Sequence, residues 1–490
     1  MKVNFNIFLL LFVLVAGNTS AQKSPNIIYI ICDDLGYGDV QFLNPKRGKI
    51  STPNIDKLAT QGMTFTDAHA GSSVCTPTRY GVLTGRYAWR TQLQSGVLRG
   101  GREFEPLIDK DRLTVPALLK KAGYSTACMG KWHLGFKFED EDGKELVLQT
   151  NKYSSGAPIG AIVPNGPINR GFDTYFGFHH SATMRTVIKN DRVIDDIPTI
   201  AMLGLLGDNA SEYIANVSKK GNPFFLYLAL NSPHSPVVPS AKWQGKSGIG
   251  PYGDFVMETD HTIGRVMKAL EEHGITDNTL VFLTSDNGCS YPVAKGKKLE
   301  TVYGHYASAQ FRGSKSDIWE GGHRVPFIVS WPEKVSPNSR NNALICLTSL
   351  MATCAEITGQ ALPKNAGEDS QSILPLLLSK KNADEHQVVV HHSIEGKFSI
   401  RKGEWKMNLC PGSGGWTYPK DTEAKELFLP EIQLYNIEKD ESETNNVFES
   451  YPEIVKELTN NLEKIVDKGH TVLGKTSKND VHVDIFKKNE

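Results

Sequence analysis

The 490-residue chain has no excess of either charge, since 54 Lys and Arg side chains meet 54 Asp and Glu. Without a basic field there is no expected nucleic-acid partner, and there is no acidic field either. Beyond the first sixteen residues no apolar run is long enough to cross a membrane. No internal repeat is seen. Cysteine is scarce and odd in number: Cys32, Cys75, Cys128, Cys289, Cys346, Cys354 and Cys410. An odd count leaves at least one thiol unpaired. Cys32 and Cys128 lie in apolar runs that read as buried strands, where free cysteine acts as a small hydrophobe. The length is too great for one small core, so two or more domains are expected.

The N-terminus stands apart. Lys2 precedes the apolar run from Ile7 to Ala16, and small and polar residues follow, ending in Thr19-Ser20-Ala21. This pattern predicts a secretory signal peptide over residues 1–21. The alternative is an uncleaved anchor, for which the run is too short. No cysteine stands at the cleavage point, which argues against a lipoprotein. The expected product is exported, periplasmic or secreted, and soluble once the signal is removed.

What is present is an alternation of strands and helices. Pro25 to Cys32 is a continuous β-branched and aromatic run, as a parallel strand buried on both faces requires. Tyr124–Met129, Phe224–Leu230, Leu280–Leu283 and Val325–Trp331 read as further strands. Helices are expected after Thr52-Pro53, after Thr114-Val115-Pro116, and over Phe255–His273. The predicted fold is α/β, a large, mainly parallel sheet flanked by helices on both faces. From about residue 385 short strands and one amphipathic helix, Glu453 to Val466, predict a small antiparallel sheet with a packed helix. The predicted organisation is a catalytic domain over 22–384 and a C-terminal subdomain over 385–490.

In open α/β sheets ligands bind beyond the carboxyl ends of the strands. Asp33, Asp34, Lys131, His133, His234, Asp286 and Asn287 all follow strands at that edge. The adjacent carboxylates of Asp33 and Asp34 read as a solvated turn or as a cation site. Four separate runs delivering such side chains to one edge favour a metal-assisted site. Oxygen-only donors in Asp33, Asp34, Asp286 and Asn287 select Ca²⁺ or Mg²⁺ over zinc. The stretch Arg170–Ser181 is aromatic and reads as a pocket wall or as packing beneath a long loop.

Cys75-Thr76-Pro77-Thr78-Arg79 precedes Leu83-Thr84-Gly85-Arg86. Thr76 reads as a helix N-cap, Pro77 as the first helical residue and Gly85 as the stop. Cys75 then lies just ahead of a helix N-terminus, with Arg79 on the same face, a setting suited to an oxyanion. By itself such a cysteine is as readily a core residue. The motif resembles the signature of the type I sulfatases, in the alkaline phosphatase superfamily, and the resemblance runs from about Asn26 to about Asp440. It is similar to arylsulfatase A-like members and to bacterial carbohydrate sulfatases.

The resemblance implies a sulfuric ester hydrolase in which a maturation enzyme oxidises Cys75 to formylglycine (3-oxoalanine). It implies one Ca²⁺, Mg²⁺ being possible, held by Asp33, Asp34, Asp286, Asn287 and residue 75. Arg79, Lys131 and Lys315 match the cations that hold sulfate, and His133 and His234 match the proton-transfer histidines. His180, Ser181 and Arg185 are the expected substrate contacts. The implied partner is a sulfated carbohydrate of galactose or hexosamine type from glycans. A formylglycine-dependent phosphodiester or phosphonate monoester hydrolase and a non-catalytic binder of sulfated glycans are the alternatives.

Overall fold

The computed structural model describes residues 24–99, 105–380 and 388–487. The expected signal at 1–21 and the expected boundary at 384/385 lie outside the described residues. The strands in chain order are β1 (Asn26–Asp33), β2 (Met63–Phe65), β3 (Ala68–His69), β4 (Ser125–Lys131), β5 (Thr174–Phe178) and β6 (Thr186–Lys189). There follow β7 (Arg192–Asp196), β8 (Phe224–Pro233), β9 (Thr279–Ser285), β10 (Phe327–Ser330), β11 (Ser339–Asn341) and β12 (Ile345–Cys346). The last four are β13 (Val389–His392), β14 (Phe398–Lys402), β15 (Trp405–Asn408) and β16 (Gln433–Asn436). Ten of them form one sheet in the order β11-β2-β10-β9-β1-β8-β4-β5-β6-β7. The central run β9-β1-β8-β4-β5 is parallel, and antiparallel pairing begins at β10 on one side and β6 on the other.

β1 shows why the centre is fixed. Its β-branched residues favour extended backbone, and its side chains alternate between faces. Ile27, Tyr29 and Ile31 enter one core, and Ile28, Ile30 and Cys32 enter the other. The helices α1 (Pro53–Thr60), α4 (Met202–Val217) and α5 (Pro251–Glu272) cover the second core. α2 (Cys75–Thr84), α3 (Val115–Lys121) and the helix Leu350–Ile357 lie on the first. The Thr114 hydroxyl caps α3 by accepting from the Ala117 amide at 3.3 Å.

β13 to β16 form a separate antiparallel sheet, against which the helix Pro452–Lys468 buries Leu458, Leu462 and Val466. This matches the expected C-terminal pattern. All seven cysteines are free and buried, so the six outside position 75 make no disulfide. No helix among the described residues is long and apolar enough to cross a membrane.

Candidate active site

The carboxyl ends of β1, β4, β8 and β9 meet the first turn of α2. α2 begins two residues earlier than the motif suggested. Val74 is the N-cap, Cys75 is the first helical residue, and Pro77 sits inside the first turn. The expected assignments of Thr76 as cap and Pro77 as first residue are therefore corrected. Proline is tolerated there because the first-turn amides have no helical acceptor in any case. The Thr76 hydroxyl instead accepts from the Leu98 amide at 3.3 Å. Gly85 ends the helix as expected, with a left-handed φ of 63°.

Cys75 Sγ lies 3.7 Å from Asp33 Oδ1 and 3.4 Å from Lys315 Nζ. Around it three cations face three carboxylates. Lys131 Nζ is 2.8 Å from Asp33 Oδ2, and Lys315 Nζ is 2.6 Å from Asp34 Oδ1. The Arg79 guanidinium, one turn along α2 from Cys75, reaches Asp286 Oδ2 at 2.7 and 2.9 Å. Asn287 Nδ2 donates to Asp34 Oδ1 at 2.7 Å, and the Ser181 hydroxyl donates to Asp33 Oδ2 at 3.4 Å. These charges are almost wholly buried, so each depends on its partners.

The electrostatics follow from burial and pairing. Burial pushes the Cys75 thiol up to about 11, against the pull of Lys131 and Lys315, so the free cysteine is a poor nucleophile at neutral pH. Burial alone would raise Asp33, but His234, Lys131, Arg79 and Lys315 together hold it below the usual carboxylate range. Burial lifts Asp286 to about 6, with Arg79 opposing and Asp33 adding. Burial, reinforced by Lys131 and the neighbouring histidines, holds His133 well below the ordinary imidazole value. Burial also lowers His234, with Asp33 opposing.

The two histidines differ in how they are held. His133 Nε2 is 3.2 Å from the Leu98 carbonyl, which only accepts, so Nε2 carries the proton and the buried Nδ1 is an unpartnered lone pair. His234 Nδ1 donates to the Ser235 carbonyl at 2.6 Å, which leaves Nε2 facing Asp34 Oδ2 at 3.7 Å. Its side chain is 19% exposed, more than any charged group packed beneath it.

The donor set fits a hard divalent cation. Asp34 Oδ2 and Asn287 Oδ1 are buried and have no hydrogen-bond partner. Asp33, Asp34, Cys75 and His234 each bring one ligand atom within 4.8 Å of the others. Buried oxygens left without donors are costly, and a cation resolves that cost.

The sulfatase family model matches residues 25–360. The chain belongs to the sulfatase family. It is an enzyme that hydrolyses sulfate esters. A Bacteroides thetaiotaomicron N-acetylgalactosamine-6-O-sulfatase is 34% identical to this sulfatase over 502 aligned residues, covering 91% of this chain and 94% of the relative. Arylsulfatase A of Bos taurus is 30% identical over 484 residues, covering 90% and 87%. Among solved structures, one concerned with the metabolism of multiple glycosaminoglycans by Bacteroides thetaiotaomicron superposes with a TM-score of 0.77. Its sequence is 30% identical, and the match covers 90% of this chain and 99% of that one.

The structure brings Asp33, Asp34, Cys75, Arg79, Lys131, Lys315, Asp286, Asn287, Ser181 and His234 of this sulfatase into one network, and His133 and His180 lie beside one another with ring centres 5.4 Å apart. Arg185 is held elsewhere, 2.5 Å from Asp196 and 3.4 Å from the Lys152 carbonyl. Reading the sequence overlooked two supports. His179, directly after β5, accepts the His133 amide on its carbonyl at 2.7 Å and packs its ring 4.5 Å from Phe136. Treating Thr174–Phe178 as a strand would have placed it at the same edge. Asp317 fixes the loop that carries Lys315 by accepting from the Ser314, Trp416 and Thr417 amides. An acid in a Gly/Ser-rich loop gives no such signal in the sequence.

Proposed function

We propose that this sulfatase is exported and removes the 6-O-sulfate from N-acetylgalactosamine-type units of sulfated glycans. Residue 75 acts as formylglycine, and one Ca²⁺ is held by Asp33, Asp34, Asp286, Asn287 and residue 75. The observation that carries the mechanism is Cys75 on the first turn of α2, between Lys315 and Asp33, beside orphaned oxygens of Asp34 and Asn287. The sugar assignment is supported by the names of relatives that align over most of this chain. The proposed partners are the sulfated glycan and the maturation enzyme that oxidises Cys75. The proposed units are the catalytic domain over 22–384, after the signal at 1–21, and the C-terminal subdomain over 385–490.

When bound, the cation supplies charge that acidifies a hydroxyl at position 75 and neutralises sulfate oxygens. Arg79, Lys131 and Lys315 stabilise charge that builds on those oxygens in the transition state. One hydroxyl of the hydrated formylglycine, giving up its proton with the help of Asp286, attacks sulfur as the sulfur–alcohol bond breaks. His234, doubly protonated in the substrate complex so that Nε2 also carries a proton, gives that proton to the departing oxygen with Lys315 beside it. His133 Nδ1 takes the proton of the second hydroxyl, which expels sulfate and restores the aldehyde. Ser181 and His180 border this pocket and are proposed to contact the substrate, whereas Arg185 would reach it only by leaving Asp196.

The test co-expresses the chain with a maturation enzyme, measures the mass at residue 75, and compares turnover on defined sugar sulfates and phosphodiesters. Formylglycine mass with fastest turnover of N-acetylgalactosamine 6-sulfate is the expected result. An unmodified thiol in fully active protein would refute the mechanism. Faster turnover of phosphodiesters, or of another sulfated position, would refute the substrate assignment.

A further inference from the structure

Asp39 is a fully buried carboxylate with no part in the chemistry described above. It closes the short 3-10 turn Tyr37–Asp39, which follows Asp34. Three donors meet it. The Gly36 amide at 2.8 Å and the Tyr252 hydroxyl at 2.6 Å both donate to Oδ2, and His305 Nε2 is 2.9 Å from Oδ1. His305 Nδ1 accepts the Lys49 amide at 3.0 Å, so the ring proton sits on Nε2 and is given to Asp39. A carboxylate enclosed in this way is costly unless each bond is kept.

Two of these donors lead back to the cation site. Gly36 stands in the turn directly after Asp34. Tyr252, on α5, spends its proton on Asp39, and its oxygen lies 3.2 Å from Cys289 Sγ, so the thiol is the donor there. Cys289 belongs to the turn that carries Asn287, and its carbonyl accepts the Lys315 amide at 2.9 Å. The two turns also press together. A Cβ on Gly36 would lie 2.9 Å from Cys289 Cβ and 2.3 Å from the Ala307 carbonyl oxygen. Asp34 itself has a left-handed φ of 68°, which persists only where the surroundings over-determine it. Its own amide has only a 3.2 Å bond to Asp286 Oδ1.

We propose that Asp39, Tyr252 and Cys289 are positioning residues for the divalent cation. Through one chain of hydrogen bonds they fix the turns that carry Asp34 and Asn287, and so set calcium affinity without touching the ion. This role rests on the reading that Asp34 and Asn287 hold Ca²⁺. None of the three side chains belongs to the group of Asp33, Asp34, Cys75 and His234 whose ligand atoms converge. Calcium affinity depends on the rigidity of a site as well as on its ligand charge. Breaking the Tyr252 link leaves every ligand and every ligand charge in place and removes only rigidity. Supports behind metal ligands are worth about 10–100-fold in metal affinity.

The test strips the matured full chain with a chelator and titrates Ca²⁺ into it by calorimetry, for the wild type and for Tyr252→Phe. The variant's Kd should rise by about 10–100-fold, with unchanged circular dichroism, and saturating Ca²⁺ should restore kcat. Thermal unfolding of the calcium-free proteins separates positioning from simple stabilisation: a lower Tm with an unchanged Kd overturns the proposal. If Tyr252→Phe does not fold, Cys289→Ala, which removes the other end of the same hydrogen bond, decides by the same titration. Wild-type protein that binds no calcium overturns the cation reading and this role with it. Calcium binding that is equally tight in wild type and folded variant overturns this role alone.

Discussion

Replacing His234 by alanine separates proton donation from every other contribution at the sulfate site. Its Nδ1 is fixed on the Ser235 carbonyl, and its Nε2 looks toward Asp34 from the partly open side of the cluster. The leaving alcohol must depart through that side, because Asp33, Asp286, Asn287 and Cys75 below are almost fully enclosed. The nearest approach of the ring to Asp34, 3.7 Å, is too long for a hydrogen bond. Removing the ring therefore breaks one local hydrogen bond, to the Ser235 carbonyl, and none to the buried carboxylates, so the loss should fall mainly on chemistry. General-acid help is worth about 10²–10⁴-fold, or about 2.7–5.4 kcal/mol at 1.36 kcal/mol per factor of ten. A sugar alkoxide needs that proton. A nitrophenolate leaves as a stable anion and hardly does. For His234→Ala, kcat/KM on a sugar 6-sulfate should fall by about 10²–10⁴-fold, and on nitrophenyl sulfate by no more than about tenfold. The assay is paired steady-state kinetics on the two substrates with one enzyme preparation. Equal losses on both would mean that His234 is not the proton donor.

Chelation of the divalent ion, verified by elemental analysis, should bring turnover to background, and added Ca²⁺ should restore it; full activity in verified calcium-free protein would contradict the ligand set. Lys406 is wholly buried between Glu320 at 3.0 Å and Glu443 at 2.8 Å, so Lys406→Met should cost about 3–5 kcal/mol in denaturant unfolding by leaving two carboxylates face to face. A loss under about 1 kcal/mol would show that this trio is not what holds the sheets together. Gly130 has a φ of 107°, and a Cβ there would lie 1.8 Å from the Ala229 carbonyl oxygen, so Gly130→Ala should push β4 off β8 and displace Lys131. A displacement near 1 Å is worth about 10²-fold in rate, and unchanged kcat in a crystallographically shifted strand would count against Lys131 as a positioned cation.

The sheet was legible because its central strands are continuous β-branched runs, and the strand-end rule then located Asp33, Lys131, His234 and Asp286 without any alignment. Lys315 was reached only through the family motif, since it sits in a loop that follows no strand. Local backbone was not legible. Asp34, His133 and Ser316 all have left-handed φ values, 68°, 55° and 82°, and the tertiary contacts that impose them are remote in sequence. α4 and the β6–β7 hairpin went unread because neither has a clean boundary signal: α4 runs on from a short 3-10 turn with no side-chain cap. Arg185 shows the opposite error. It lies close to Ser181 in sequence, but its charge is spent on Asp196. The hydrogen bonds of Asp39 with Tyr252 and His305, and of Tyr252 with Cys289, join four distant positions with no shared spacing.

Cys75 is 2% exposed, covered by its own helix and by groups from β1, β4 and the Lys315 loop. No other protein can grip that side chain once the sheet has closed. On the proposed mechanism its conversion to formylglycine is therefore a race that ends when the chain folds, and the converted fraction would be set by how long β9 and the Lys315 loop, more than two hundred residues downstream, take to arrive. Slower synthesis or slower export should raise the active fraction with no change in the folded enzyme. A batch with low specific activity can then be perfectly folded, and refolding it without the maturation enzyme will not improve it.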